Sequence, residues 1–463
     1  MPLPSEFLDG LRAAVGDSHV RTDAAALDTY GADALKRGHP PDVVVMPDGA
    51  DQVSAVMKLC ARFRVPLVPR GGGTGYTGGS VPVRGGLVLS LERMNRILEI
   101  DEDNLIALVE PNVVTGDLQA AVEKIGLFYP PDPASLDRSV IGGNVAECAG
   151  GPRAFKYGTT KQYVLGLQAV LPNGDIVETG GKVVKNVVGY DLTHLLVGSE
   201  GTLAVITRVI LRLVPRPPVQ STLRATFASI ADATRAVCEV IRARVVPAAL
   251  ELIDGDSLEA VARYLNVRSL APAGTAALLL LEVDGLAEAV EEEAARCLRA
   301  CRAAGATDLL RARDDAERQE IWRVRRELSF ALRTISPIKF NHDVVVPKGR
   351  IPQLFELVER LKRDYRLRIP SFGHAGDGNI HVNIMVTPGD EDEMRRAHEA
   401  ERLLFEGVVA LEGSISGEHG IGFAKAKFLP IELDAQTIAA MKRVKAAFDP
   451  DGLLNPGKIF PEV

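Results

Sequence analysis

The densest glycine cluster of this chain runs from Arg70 to Gly79 and limits the folds open to its first half. Residues 73–78 match the GxGxxG pattern of Rossmann dinucleotide-binding domains. That pattern requires a helix that opens at the third glycine and receives the pyrophosphate. Here residues 81–83 read Val-Pro-Val and are followed by the strand-like run 86–89. The context therefore disfavours a Rossmann domain, and the chain contains no GxxxxGKS/T phosphate loop.

The glycine cluster can nevertheless hold a diphosphate. Glycines adopt positive φ and let a ligand approach the backbone, so several N–H groups can face one anion. An ordinary glycine-rich turn explains this cluster equally well when it is taken alone. Two further loops poor in side-chain bulk, at 139–151 and 198–203, occur later in the same half. Together the three stretches suggest a long ligand laid against the backbone.

Composition narrows the class of protein. A chain of 463 residues with 46% hydrophobic and 25% charged residues suffices for two or three domains. Its net charge of -7, with basic and acidic residues interspersed, argues against a nucleic-acid partner. The 5 scattered cysteines favour a reducing compartment and include no CxxC cluster for an iron–sulfur centre. Without a signal-peptide pattern or an apolar run near the ~20 residues of a membrane span, we expect a cytoplasmic enzyme.

Periodicity and proline punctuation divide the chain. Prolines at 215, 217 and 218 follow the first α+β region. Beyond them, predicted helices at 288–304, 315–332 and 391–411 alternate with strands at 277–283 and 380–386. The predicted organisation is a helical segment at 1–37, a first domain at 38–217, a second domain at 218–420 and a C-terminal segment at 421–463.

Three of the 8 histidines lie in two glycine-rich motifs. In the first motif, Asp-Gly at 377–378 is a strong signal for a two-residue hairpin turn. Such a turn places His374 directly opposite His381, and Phe372 opposite Asn383. Directly opposed residues have Cβ atoms about 5 Å apart, so the two imidazoles can share one metal ion.

The second motif, residues 416–422, adds the adjacent pair Glu418 and His419. Two histidines and one carboxylate with an open position suit a catalytic Zn²⁺ or a similar divalent ion. The alternative is that these histidines cap turns or pair with carboxylates. The opposition of two imidazoles and the Glu-His pair favour a metal site in the second domain.

Four ordered motifs, at 69–74, 131–135, 141–144 and 198–203, resemble the FAD-binding domain of the vanillyl-alcohol oxidase and p-cresol methylhydroxylase superfamily. The resemblance implies an α+β fold: a two-lobed FAD-binding domain, an α+β (ferredoxin-like) substrate domain, and a C-terminal tail that returns to the flavin domain. FAD is expected to be non-covalent, because Thr74 stands where covalent members often carry histidine. The resemblance implies the following FAD-binding residues: Arg70, Gly71, Gly72, Gly73, Thr74, Gly75, Thr77, Gly78, Pro131, Asp132, Ser135, Gly142, Gly143, Asn144, Gly151, Glu200, Ile206 and Asn455.

The histidine motifs resemble the C-terminal domain of the FAD-linked oxidases of glycolate, D-lactate and D-2-hydroxyglutarate. The resemblance implies that a metal, zinc or else manganese or iron, is bound by His374, His381 and Glu418. His419 would be the catalytic base. The implied substrate-binding residues are Asn383, Arg325 and Lys339, although Lys339 aligns only with a one-residue gap. Solvated surface charge remains the alternative for Arg325 and Lys339.

The expected function is FAD-dependent, metal-assisted oxidation of a small 2-hydroxy acid, of the glycolate or D-lactate type, to the 2-oxo acid. Electrons would pass to a partner protein or a quinone chain, with FAD-domain and iron–sulfur subunits as the implied partners. Through them the chain would be peripheral to the inner membrane, and a homodimer is compatible with the pattern. Two alternatives stay open: a catalytically silent FAD electron-transfer subunit, and another chemistry of the superfamily, such as ether-lipid synthesis.

Overall fold

The computed structural model describes residues 3–267 and 271–461, and the chain divides into two compact units. Unit 1 comprises Met1–Gly150, Thr159–Arg216 and Glu418–Val463, and unit 2 comprises Gly151–Gly158 and Pro217–Gly417. Compared with the predicted ranges, residues 1–37 and 418–463 belong to unit 1 together with the first domain, and residues 151–158 and Pro217 belong to unit 2. Among the described residues, no helix has both the length and the apolarity needed to cross a membrane.

The helices of the described residues, in chain order, are α1 Ser5–Val15, α2 Ala24–Tyr30, α3 Ala50–Phe63, α4 Thr115–Glu123, α5 Ile141–Glu147, α6 Ala154–Tyr157, α7 Leu192–Leu196, α8 Ile230–Arg242, α9 Gly255–Tyr264, α10 Ala287–Ala303, α11 Asp315–Ile335, α12 Ile351–Tyr365, α13 Glu391–Ala410, α14 Leu429–Glu432 and α15 Ala435–Phe448. The three helices predicted in the second half correspond to α10, α11 and α13.

The strands are β1 Val20–Arg21, β2 Val43–Val45, β3 Leu67–Arg70, β4 Leu87–Ser90, β5 Ile97–Asp101, β6 Ile106–Val109, β7 Leu127–Phe128, β8 Val164–Val170, β9 Ile176–Gly180, β10 Val205–Arg212, β11 Val214–Pro215, β12 Val219–Phe227, β13 Ala249–Asp254, β14 Ala277–Gly285, β15 Asp308–Arg311, β16 Ile338–Val345, β17 Ser371–His374 and β18 Asn379–Val386. Short β7 and β11 pair with each other in unit 1.

Unit 1 has two main sheets. The first has the order β1-β2-β4-β3, in which β2, β4 and β3 are parallel. Helix α3 presents Val53, Val56, Met57 and Cys60 to the core of this lobe, in the helical spacing that the sequence predicts. The second sheet is antiparallel, with the order β5-β6-β10-β8-β9. The glycine cluster lies in the connection from β3 to β4, so a strand follows it, as predicted.

Unit 2 is built on a seven-stranded antiparallel sheet with the order β15-β12-β14-β13-β17-β18-β16. Helices α9 and α11 pack together and contact the sheet, and Val324 and Leu328 of α11 share a buried cluster with Phe372. Helices α8, α10, α12 and α13 form the other group of mutually packed helices. Segment 151–158 belongs with this unit because Lys156 and Tyr157 both bond to Asp284, at 2.5 and 2.7 Å.

The prediction of a two-residue turn between β17 and β18 is wrong. Residues 375–378 all lie in the turn, and the register pairs His374 with Asn379 and Phe372 with His381. The connection is longer because the His374 carbonyl accepts the N–H groups of residues 377 and 378, at 3.3 and 3.1 Å. The register therefore differs from the predicted one by two residues. Since side chains alternate with period two, His374 and His381 still share one face, as diagonal neighbours.

Candidate active site

Backbone contacts in unit 1 fix the glycine loop. Gly78 has φ +78, and a Cβ there would lie 2.1 Å from the Phe423 ring. A Cβ on Gly422 (φ +52) would lie 2.1 Å from the Thr77 carbonyl oxygen. Both conformations favour glycine, and neither position leaves room for a side chain. The glycine loop and the segment after residue 420 are therefore closely packed, through the Phe423 ring at Gly78 and through backbone at Gly422.

The second stretch poor in side-chain bulk, residues 139–151, is not simply a loop, because its middle forms helix α5. The glycine loop passes beside it, because a Cβ on Gly71 would lie 2.6 Å from Val140. Two nearby glycines are less crowded and would meet only ordinary van der Waals contacts. A Cβ on Gly143 would meet nothing closer than 3.6 Å, and one on Gly75 nothing closer than 4.0 Å. These open backbone positions fit a flat, extended cofactor such as FAD.

Glu200, in the third stretch, holds the C-terminal segment of unit 1. Its buried carboxylate accepts the N–H groups of Ile421 and Gly422, at 2.8 and 2.6 Å. Burial raises the pKa of Glu200, although these two N–H groups and nearby lysines oppose the shift. The Asn455 amide donates to the carbonyls of Gly79 (2.9 Å) and Glu200 (2.7 Å). Asn455 thus joins the tail to the glycine loop, and Glu200, also implied to bind FAD, bonds the tail at three groups.

Other residues implied to bind FAD also have structural partners in unit 1. The Arg70 guanidinium donates to the Ala32 carbonyl at 2.7 Å, and burial lowers its pKa. The Pro131 carbonyl accepts from Gln119 at 2.8 Å, and the Ser135 carbonyl accepts two backbone N–H groups before α5. Ile206 is buried in β10. Gly151 alone among the implied FAD residues belongs to unit 2.

His374 and His381 lie together in unit 2. They stand at the end of β17 and within β18, and only 3% and 6% of their surfaces are exposed. Their ring centroids are 5.4 Å apart, with the planes nearly perpendicular at 82°. Phe372 packs 5.3 Å from the His381 ring. The pair is a buried, edge-to-face arrangement of two imidazoles.

Glu418, the third predicted metal ligand, is the first residue of the last segment of unit 1. The division between the units falls on the peptide bond from Gly417 to Glu418. Gly417 donates its N–H to the carbonyl and the carboxylate of Asp343, at 2.8 and 3.0 Å, and Asp343 pairs with His381. The two buried imidazoles of unit 2 offer nitrogen ligands of the kind that a divalent cation such as Zn²⁺ accepts.

His419 packs against the glycine loop of unit 1. Its ring lies 5.3 Å from the Tyr76 ring, and its carbonyl accepts the Thr77 hydroxyl at 3.0 Å. Its Nε2 lies 3.8 Å from a carboxylate oxygen of Glu418. Only 15% of its side-chain surface is exposed. An imidazole in this position is held beside the loop that is expected to bind FAD.

Arg325 is buried on α11 of unit 2, so it is not a solvated surface charge. Its Nε contacts Glu251, and its guanidinium lies 5.0 Å from the Phe372 ring. Glu251 also bonds the Nδ1 of His374 at 2.6 Å. Burial by itself would raise the pKa of Glu251, but its electrostatic interactions and hydrogen bonds with His374 and Arg325 outweigh burial and lower the pKa to about 2. Glu251 was not among the residues predicted from the sequence. The feature that could have identified it is a single glutamate in the buried strand β13, because glutamate is rarely buried without a partner.

Lys339 and Asn383 lie on the strands beside this network. Burial, with Arg333 nearby, lowers the pKa of Lys339 to about 8, and its Nζ is 3.4 Å from the Ser329 hydroxyl. The Asn383 amide donates to the carbonyls of Pro370 (3.2 Å) and His381 (3.1 Å). Within the described residues, the buried Oδ1 of Asn383 has no hydrogen-bond partner. That oxygen is available to a ligand donor.

Two protein-family models and several named proteins match this chain. The chain matches the model of the FAD linked oxidases, C-terminal domain, over residues 216–459, and that of an FAD binding domain over 41–180. It is 44% identical to glycolate oxidase subunit GlcD of Bacillus subtilis over 420 residues, 91% of this chain and 89% of that protein. It is 39% identical to a D-lactate dehydrogenase of Archaeoglobus fulgidus (90% and 91% covered). It is 34% identical to a D-2-hydroxyglutarate dehydrogenase of Stutzerimonas stutzeri (98% of both).

Solved structures show the same fold. The crystal structure of p-cresol methylhydroxylase with substrate bound aligns with a TM-score of 0.80 at 18% identity, over 98% of this chain and 96% of that one. An alkyldihydroxyacetonephosphate synthase aligns with a TM-score of 0.78 at 20% identity, over 98% and 86%. The predicted combination of an α+β FAD-binding domain and a C-terminal domain is thereby confirmed.

Proposed function

Since this chain belongs to the FAD-linked oxidases, we propose that it oxidises a small 2-hydroxy acid, of the glycolate or D-lactate type, to the 2-oxo acid. The substrates in its relatives' names, glycolate, D-lactate and D-2-hydroxyglutarate, share a hydroxyl group next to a carboxylate. The observation that carries the proposal lies in unit 2. There His374, one of two neighbouring buried imidazoles, and the buried Arg325 share one carboxylate, Glu251.

FAD fits unit 1, where the glycine loop and the start of α5 leave backbone open at Gly75 and Gly143. Bound FAD would supply the acceptor for two electrons. The glycine loop would cradle its diphosphate, and residues 142–144 would line the isoalloxazine and ribityl region. Thr74 offers no imidazole for a covalent link, so the flavin is proposed to be non-covalent.

Gly143→Ala is expected to weaken FAD binding without destabilising the apoprotein. The added methyl meets only an ordinary contact of 3.6 Å in the protein, and alanine gains about 0.5–1 kcal/mol over glycine in a helix. In the holoprotein the same methyl would occupy flavin space. Flavin fluorescence titration and urea unfolding of the apoprotein measure the two effects. Gly142→Ala is the matched control, because its methyl would lie 2.6 Å from Pro111 and should destabilise the apoprotein itself. If Gly143→Ala binds FAD as tightly as the wild type, the proposed position of the flavin beside Gly143 is wrong.

Unit 2 is proposed to bind the substrate acid. Arg325 would bind its carboxylate through the terminal guanidinium nitrogens, since Nε is held by Glu251. Lys339 would add positive charge, and Asn383, whose buried Oδ1 has no hydrogen-bond partner among the described residues, would contact the substrate. A divalent cation held by His374, His381 and Glu418 would supply Lewis-acid polarisation of the hydroxyl oxygen.

His419 is proposed to take the proton of the α-hydroxyl group at an imidazole nitrogen. Imidazole is suited to this role because its ordinary pKa lies near neutrality. The contacts of its carbonyl with Thr77 and of its ring with Tyr76 fix its position. Removal of this proton raises electron density on the oxygen and so favours departure of the hydrogen on the adjacent carbon with its bonding electron pair, for which bound FAD would supply the acceptor.

We also infer that reoxidation of the flavin involves another protein or a quinone-linked chain. Support comes from relatives named as subunits of glycolate oxidase. FAD-domain and iron–sulfur subunits are the proposed partners.

The test is anaerobic reduction of the flavin in the purified, metal-analysed protein by a panel of 2-hydroxy acids. We expect loss of the oxidised-flavin absorbance with glycolate or D-lactate, and prevention of that loss by a chelator, because the metal and the flavin act on one substrate. If no acid reduces the flavin of the metal-replete protein, the proposal fails. A silent electron-transfer subunit or another chemistry of the superfamily would then take its place.

A further inference from the structure

Glu251 is a buried carboxylate in a strand that is otherwise almost entirely apolar. Every residue of β13 is buried, and the Glu251 side chain is 0% exposed. An ionised carboxylate in such a place costs several kcal/mol unless charged partners compensate it. The partners of Glu251 therefore indicate why it is there.

The two oxygens of Glu251 serve two different groups. One lies 2.6 Å from Nδ1 of His374, which stands directly opposite Glu251 where β13 pairs with β17. The other contacts Nε of Arg325, which comes from α11 over the same face of the sheet. One carboxylate thus joins a proposed metal ligand to the proposed binding group for the substrate carboxylate.

We propose that Glu251 is a positioning residue that holds the His374 proton on Nδ1, leaves Nε2 for the metal ion, and fixes Arg325 for the substrate. A carboxylate at Nδ1 selects this tautomer because it accepts the N–H and repels the lone pair. Carboxylates that orient metal-binding histidines in this way also increase the basicity of the ligand nitrogen. The inference rests on the proposed function, since it assumes a metal at His374.

A purely structural role, neutralisation of Arg325, is the competing explanation. The chain offers a matched control in Glu282 of the neighbouring strand β14, which is 4% exposed. Glu282 accepts hydrogen bonds from Thr222 and from Trp322, at 2.7 and 2.8 Å. It is a buried, hydrogen-bonded carboxylate of the same sheet that the proposal does not involve in metal binding.

The experiment compares Zn²⁺ binding by the full-length, FAD-loaded wild type, Glu251→Gln and Glu282→Gln, in competition with a chelating dye. Loss of a carboxylate behind a metal-binding histidine typically weakens metal affinity about 10–100-fold, and we expect this for Glu251→Gln. The same variant should raise KM for the acid, because Arg325 loses its anchor. Glu282→Gln should bind Zn²⁺ like the wild type.

The possible outcomes distinguish failure of the role of Glu251 from failure of the proposed function. If the wild type binds Zn²⁺ and Glu251→Gln binds it equally well, the role of Glu251 is refuted and the proposed function stands. If the wild type binds no Zn²⁺, the metal part of the proposed function falls and this inference falls with it. Should Glu251→Gln not fold, ¹⁵N-histidine NMR of the wild type decides. The resonance lost in His374→Gln must show a protonated Nδ1, and a proton on Nε2 overturns the proposal.

Discussion

His381→Ala is expected to slow reduction of the flavin by a 2-hydroxy acid about 10³-fold. The imidazole is one of two buried histidines with ring centroids 5.4 Å apart, and alanine removes a proposed metal ligand. Charge stabilisation by a metal contributes several kcal/mol to such reactions, and each 1.36 kcal/mol corresponds to a factor of ten. Anaerobic stopped-flow reduction of the FAD-loaded, Zn²⁺-supplied variant measures the rate constant, and elemental analysis should show that the bound metal is lost.

His398→Ala serves as the control for that variant. His398 belongs to the same unit but contacts Phe340, whose side chain points to the other face of β16 from residues 339 and 343. It should retain both the metal and the rate of flavin reduction. A His381→Ala protein that keeps the metal and reduces its flavin at the wild-type rate would rule out the metal site in unit 2.

His419→Gln is expected to lower the rate constant for flavin reduction about 10²–10⁴-fold, the usual contribution of a general base. Glutamine keeps a polar side chain beside Tyr76 but cannot take up a proton near neutral pH. Metal content should be unchanged, because the proposed ligand is the neighbouring Glu418. Stopped-flow reduction at saturating acid, together with elemental analysis, distinguishes this loss from that of His381→Ala.

The control for His419→Gln is His194→Gln. His194 also belongs to unit 1, but it lies on short helix α7 and bonds the capping residue Asp191 at 2.6 Å. Its replacement should leave flavin reduction unaffected. A His419→Gln variant that is reduced at the wild-type rate would show that another group takes the proton.

The sequence predicts much of the fold because the relevant signals are local. The strand after the glycine cluster separates this loop from a Rossmann turn, and β4 lies where that argument requires it. The apolar spacing in α3 likewise predicts which face of that helix is buried. His374 and His381 share one face because side chains alternate with period two along β17 and β18. This result holds although the predicted register is wrong by two residues.

The remaining features depend on contacts between distant parts of the chain. Glu251 lies 74 residues from Arg325 and 123 from His374 in sequence, so no local pattern joins them. For the same reason the sequence left open whether Arg325 is solvated, and only packing against Phe372 and Glu251 shows that it is buried. The register of β17 and β18 was predicted wrongly because the Asp-Gly pair alone does not set the length of the turn between them. Backbone hydrogen bonds to the His374 carbonyl set that length.

The tail of unit 1 has a consequence for biosynthesis. Leu67 of β3 accepts the Asn455 N–H at 2.7 Å, and residues 420–423 pack against the glycine loop. The ribosome makes these segments after all of unit 2, although the strands that they complete are made first. Unit 2 is contiguous apart from residues 151–158, so it can fold while unit 1 still waits for its last contacts. The contacts that hold the glycine loop in unit 1 are therefore completed late in synthesis.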